Sequence, residues 1–306
     1  MRVMVTGAGG FLGCYVLRAL QARGVPAVAV GRAPPADLAG ASFIQADLLE
    51  TARLPALTAR AGASHLIHLA WFTQHGAFWH SPHNFSWVDA SVRLVEAFCV
   101  SGGRHVVFAG SCAEYDWSDG RCDEASTALL PATPYGVCKD ATRRLVMALC
   151  AQHKVGVAWA RIFFPYGAGE SAARLLPRLI AALQGDAPAF GVGGAAVRDF
   201  LHARDVAAGL LTLLQAGATG SFNISSDKPV TVADLVRRLA RLLEADPGRI
   251  LDAPAPADRG GDAPLLLGSN ARLRAFGWRP QYALDRGLQQ TLLDIGVGSR
   301  ETVRGG

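Results

Sequence analysis

The chain opens Met1-Arg2-Val3-Met4-Val5-Thr6-Gly7-Ala8-Gly9-Gly10-Phe11-Leu12-Gly13. A short apolar strand runs into glycines at positions 7, 10 and 13. An amphipathic stretch through Val16, Leu17 and Leu20 follows. Glycine lets a backbone turn tightly and approach a pyrophosphate, and a helix N-terminus offers free amides and the positive end of a dipole. The order strand, glycine loop, helix is the context a dinucleotide fingerprint requires. Gly7, Gly10, Phe11, Leu12 and Gly13 are therefore expected to hold a cofactor.

Outward from this loop, apolar runs alternate with helix-period segments. The pattern predicts strands over 3–6, 27–30, 43–45, 66–69, 106–109 and 157–162. It predicts helices over 12–23, 86–101 and 135–152. Such alternation argues an α/β fold of the Rossmann type, with a doubly wound parallel sheet. The rhythm changes after Pro165-Tyr166-Gly167. Residues 1–165 read as a dinucleotide-binding domain. Residues 166–306 read as a smaller, irregular C-terminal substrate-binding lobe, with some segments packing back onto the first.

Half of the 306 residues are hydrophobic, and the net charge is +5 with the arginines scattered. No basic block points to nucleic acid, and no apolar run approaches the ~20 residues that span a bilayer. The six cysteines show no Cys-x-x-Cys spacing, and His75, His80 and His83 fit no metal motif. The first strand begins too early for a signal peptide. The expectation is a cytoplasmic protein with no metal.

The candidate chemistry lies at predicted strand ends. The second strand ends Ala29-Val30-Gly31-Arg32, without the carboxylate that binds a ribose 2′-hydroxyl in NAD sites. Arg32 suits a 2′-phosphate, which favours NADP(H), with NAD(H) as the alternative; otherwise Arg32 is a solvated loop residue. Asp47 and Leu48 close the third strand, where Asp47 either meets the adenine or caps a turn. His68-Leu69-Ala70 closes the fourth, with Leu69 and Ala70 small or apolar enough for close cofactor approach. Trp71 then heads an aromatic loop, Trp71–His80, that either shapes the substrate or plugs the fold. Tyr135-x-x-x-Lys139 shares one helix face. A lysine ammonium there lowers the tyrosine pKa and holds the ribose, so that Tyr135 can exchange a proton with a sugar hydroxyl. Ser111 follows the fifth strand and can hydrogen-bond the same oxygen.

These residues resemble the extended short-chain dehydrogenase/reductase family, in its nucleotide-sugar epimerase, dehydratase and reductase group. The likeness continues through Arg161–Gly167, Arg198-Asp199-Phe200, Phe222-Asn223-Ile224 and Phe276-Gly277-Trp278. It implies a nicotinamide cofactor, a nucleotide-diphosphate sugar and a catalytic set of Ser111, Tyr135 and Lys139. It implies that Arg198 grips the diphosphate, unless Arg198 instead bridges the lobes by a salt bridge to Asp199 or Asp205, and that Arg259 is a second such arginine. Phe164 stands where the family often has Asn, and reads as an aromatic wall of the substrate site. Sugar 4,6-dehydratases follow the serine or threonine with Asp-Glu, where this chain has Cys112-Ala113, so dehydration is not expected. The proton-transferring cysteine of GDP-fucose synthase lies two residues after the serine, where this chain has Ala113.

The reading is a ketoreductase acting with NADPH on a nucleotide-diphosphate 4-keto-6-deoxyhexose. A nucleotide-sugar 4-epimerase is the alternative within the family. A non-catalytic dinucleotide sensor is the alternative outside it, although such proteins usually lose the tyrosine or lysine. Apolar positions beyond one stripe on the two long helices (Leu94, Ala97, Phe98, Val146 and Ala148) predict a homodimer.

Overall fold

The structure, a computed structural model, describes residues 1–254 and 263–297. Its centre is a seven-stranded parallel sheet in the order Gly220–Ile224, Gly156–Ile162, His105–Ser111, His65–His68, Val3–Thr6, Ala27–Gly31, Ser42–Gln45. Most of these strands are buried along their length, as an apolar run covered on both faces must be. From Val3–Thr6 the chain adds two strands on one side, then crosses to His65–His68 on the other. A crevice opens where the winding reverses, between Val3–Thr6 and His65–His68, and there ligands bind in such sheets. The glycine loop and the Leu69-Ala70 pair leave the sheet at this point.

Helices cover both faces. Phe11–Gln21 and Ala203–Gln215 share one core through Val16, Leu17, Leu210 and Leu214. His83–Val100 and Pro134–Gln152 pack on the other through Leu94, Phe98 and Val146. Thr133 starts the second of these by accepting from Gly136 N at 3.2 Å, with Pro134 in the first turn.

The strand Gly220–Ile224 pairs in parallel with Gly156–Ile162 at the sheet edge. The second half of the chain thus completes the sheet begun by the first. Three of its other helices, Leu175–Gln184, Val232–Leu242 and Leu284–Asp294, bury a separate core around Leu179, Leu239 and Leu288.

The apolar arcs of the long helices are arranged differently from expectation. Leu94, Ala97, Phe98 and Val146 are the sheet-facing core, so they are no surplus. Val137 and Leu145, which helical spacing with Ala141 and Leu149 places on one apolar stripe, are 48% and 49% exposed. The sheet-facing arc lies about a third of a turn away from the stripe drawn from spacing, which carries those two side chains outward.

Candidate active site

Gly7 adopts φ +69°, and its carbonyl accepts from Gly10 N at 3.0 Å. A Cβ at Gly7 would lie 2.8 Å from Ala70 N, so any side chain there would push the two strand ends apart. Gly13 allows the helix to lie directly on the carbonyls of Gly7 and Ala8. The helix that follows has Gly10 as N-cap, no capping side chain and no acid in its first turn. Its leading amides are left for an anion, and the half-buried Phe11, Leu12, Leu69 and Ala70 flank them. These residues fit a dinucleotide pyrophosphate.

At the far end of the crevice Gly31 is half-buried and Arg32 is exposed, with no partner for its guanidinium among the described residues. Asp47 is half-buried and accepts from Leu49 N at 3.0 Å, which makes a turn, while Leu48 belongs to the core.

At the near end, Ser111 closes its strand and caps the turn Cys112–Glu114. Its Oγ accepts from Ala113 N at 3.2 Å, and Glu114 Oε1 accepts from Ser111 N at 2.7 Å. Glu114 is fully buried. It also accepts from Trp159 Nε1 at 2.9 Å and from Arg161 Nε at 2.8 Å. The sequence reading missed this network. Its signal is Arg161 inside a buried strand, since a charge there must find a buried counterpart. Gly136 lets the next helix start directly on Ala113 O. That contact brings Tyr135 beside Ser111, whose hydroxyl favours the phenolate form.

Tyr135 and Lys139 are both buried on one face of this helix. Lys139 Nζ donates to Ala109 O at 2.9 Å. Burial pulls the ammonium down to about 7, with the Glu114 charge pulling upward. The Tyr135 phenol was expected to have a lowered pKa, but burial pushes it well above its usual value. The Ser111 hydroxyl and the Arg174 charge oppose this only partly. The closed crevice desolvates the phenolate more than neighbouring charges stabilise it.

Trp71 is buried, with its indole N–H donating to Asn84 Oδ1 at 2.9 Å. Asn84 also donates to Phe78 O at 2.7 Å and to Ser81 O at 3.0 Å, which ties down the whole aromatic loop. Phe78 and Trp79 meet the Tyr135 ring edge-on at 4.9 and 5.6 Å. The loop is thus packed under the following helix and against Tyr135 at once. His68 is buried between Thr6 and Ser91, at 2.7 and 3.1 Å, and burial lowers it to about 3.

Arg198 is buried and donates to Val197 O and Ala263 O at 2.9 and 2.8 Å, with its guanidinium 5.6 Å from the Phe164 ring centre. The carboxylate of Asp199 is taken up by Ser226, Asp227 N and Gly268 N, and that of Asp205 by Gln281 N and Tyr282 N. Arg259 lies outside the described residues. Cys112 is buried among Tyr115, Cys122, Phe163 and Leu266, and burial raises its thiol pKa strongly.

A serine, a tyrosine and a lysine are gathered beside a glycine-loop crevice, the arrangement that the sequence shares with short-chain dehydrogenases/reductases. Residues 3–225 match the family described as "NAD dependent epimerase/dehydratase family", and the chain belongs to it. It is similar to dTDP-6-deoxy-L-talose 4-dehydrogenase (NAD(+)) of Aggregatibacter actinomycetemcomitans, 24% identical over 77% of this chain and 88% of that one. UDP-glucose 4-epimerase of Streptomyces lividans is 26% identical over 92% of each chain. Among solved structures, MoeE5 in complex with UDP-glucuronic acid and NAD superposes with a TM-score of 0.84. It is 28% identical, and the match covers 96% of this chain and 98% of that one.

Proposed function

We propose that this chain reduces a nucleotide-diphosphate keto-sugar with NADPH, the sugar being a 4-keto-6-deoxyhexose. The reading rests on one observation. The turn at Ser111 and the helix carrying Tyr135 and Lys139 bring no free carboxylate or thiol with them among the described residues, because Glu114 is consumed by Trp159, Arg161 and Ser111 N and Cys112 is packed in an apolar cluster. Proton traffic is then confined to Tyr135 and one sugar oxygen, which suits hydride transfer and not elimination of water.

The nicotinamide, when bound, supplies the hydride. Tyr135, kept protonated by burial, gives its proton to the oxygen of the forming alkoxide. Ser111 hydrogen-bonds the same oxygen. Lys139 places a positive charge behind the tyrosine and faces the cofactor ribose. Gly7, Gly10 and Gly13 and the first turn after them hold the pyrophosphate, and exposed Arg32 takes the 2′-phosphate. Residues 1–165 carry the cofactor. Residues 166–306 carry the sugar nucleotide through Arg198 and Arg259, with Phe164 and the aromatic loop beside it.

The 4-epimerase reading is favoured by the similarity to UDP-glucose 4-epimerase, and the same three residues suffice for it. The two readings separate when purified protein meets a nucleotide-diphosphate 4-keto-6-deoxyhexose and NADPH. Stoichiometric loss of NADPH supports reduction; a retained cofactor with no net consumption supports epimerisation. We further propose a homodimer. Phe85, Val137 and Leu145 are 64%, 48% and 49% exposed and line one groove between the long helices. Light scattering that gives the mass of one chain at every concentration would exclude it.

A further inference from the structure

The geometry points to Trp71 as a positioning residue that seats the Lys139 ammonium on its indole face. Lys139 Nζ lies 3.9 Å from the Trp71 ring centre, against 5.7 Å for Phe108 and 5.9 Å for Tyr135. All three lie within the ~6 Å range of a cation–π contact, and Trp71 is the nearest by almost 2 Å. The indole cannot drift, because its N–H is fixed to Asn84 Oδ1 and Asn84 is fully buried.

The ammonium needs such a seat. It is buried, and a single hydrogen bond, to Ala109 O, is its contact with a neutral acceptor among the described residues. The titratable groups around it are Glu114, whose charge favours the ammonium, Tyr135 on its own helix, and His68 on the neighbouring strand. Glu114 is already engaged by Arg161 and Trp159. His68 is held between two hydroxyls. A negative aromatic face in a dry site therefore supplies stabilisation that water gives elsewhere. The same contact holds the ammonium 5.9 Å from the Tyr135 ring centre. This inference rests on Lys139 being the lysine of the hydride-transfer centre.

The chain contains three lysines, Lys139, Lys154 and Lys228, and the last two are exposed. Protein labelled with carbon-13 lysine thus gives a spectrum that Lys154→Arg and Lys228→Arg assign completely. In the parent protein the ε-methylene signals of Lys139 should be shifted upfield by the indole ring current. In Trp71→Leu, which removes the aromatic face but keeps the site apolar, that shift should vanish. The Lys139 titration midpoint should then fall by about one pH unit, a tenfold loss of proton affinity. Trp71→Phe, which restores an aromatic face, should recover most of both.

Unshifted Lys139 signals in the parent protein would overturn the inference whether or not Trp71→Leu folds. So would a midpoint that stays put in folded Trp71→Leu. Lys139→Met tests the functional reading separately. Undiminished turnover of the keto-sugar and unweakened NADPH binding would remove Lys139 from the reaction while leaving the measured seat in place.

Discussion

The two ends of the cofactor crevice are built in opposite ways. At the sugar end Tyr135, Lys139, Glu114 and Asn84 are all buried, and each is held by hydrogen bonds or packed rings. At the adenosine end Gly31 and Asp47 are half-buried and Arg32 faces solvent. On the proposed reading the chemistry is set by a closely packed interior that tolerates little change. The choice of cofactor, on the same reading, rests on Arg32, an exposed side chain that could be exchanged without disturbing the core. Substitutions at the two ends should differ in kind as well as in size.

The largest effect is expected at the buried end. Tyr135→Phe keeps the ring packed against Phe78 and Trp79 but removes the proton donor. Turnover of the keto-sugar should fall by about 10²–10⁴, the usual cost of a lost positioned acid. An undiminished rate would break the contrast, since the buried end would then carry no chemistry. Glu114→Ala leaves Arg161 and the Trp159 N–H without their acceptor. Denaturant unfolding should show a loss of about 3–5 kcal/mol, the range for breaking a buried ion pair from one side. A stability near that of the parent would mean that water replaces the carboxylate and that this end is looser than its geometry indicates.

The solvent-facing end should respond more mildly. The parent is expected to bind NADPH at least ~10-fold tighter than NADH, worth about 1.4 kcal/mol. Arg32→Ala should erase most of that gap while leaving the melting temperature in place. Equal calorimetric affinities in the parent would remove Arg32 from the cofactor site. The smallest effect is expected of Cys112→Ser. Its thiol faces Tyr115, Cys122, Phe163 and Leu266, so turnover should be unchanged. A loss on the scale of Tyr135→Phe would place a second proton-transfer group in the turn and bring epimerase-like chemistry forward.

The same division governs what could be read from sequence. The glycine loop, the first six strands and the Tyr-x-x-x-Lys helix were legible because each depends on local rules: glycine spacing, apolar runs and helical period. The seventh strand, Gly220–Ile224, was not. It is short, and its place at the sheet edge is fixed by pairing with residues some sixty positions earlier. The Glu114–Arg161 pair joins a turn to the middle of another strand, a relation that only the sheet register creates. Trp71 was legible as an aromatic at a strand end, but its direction was not. Asn84 decides that direction, and nothing local marks a helix asparagine as the anchor of a preceding loop. The raised Tyr135 pKa was missed for a related reason. The sequence shows the lysine beside the tyrosine but not the packing that excludes water from both.

The central claim is that hydride passes from NADPH to a sugar carbonyl while Tyr135 provides the proton. NADPH carrying two deuterium atoms at nicotinamide carbon 4, incubated with the protein and a nucleotide-diphosphate 4-keto-6-deoxyhexose, tests it most directly. Mass spectrometry of the product should find one deuterium per sugar, bonded to carbon 4, and one NADPH oxidised for each sugar reduced. A converted sugar without deuterium, or with no NADPH consumed, would contradict the account.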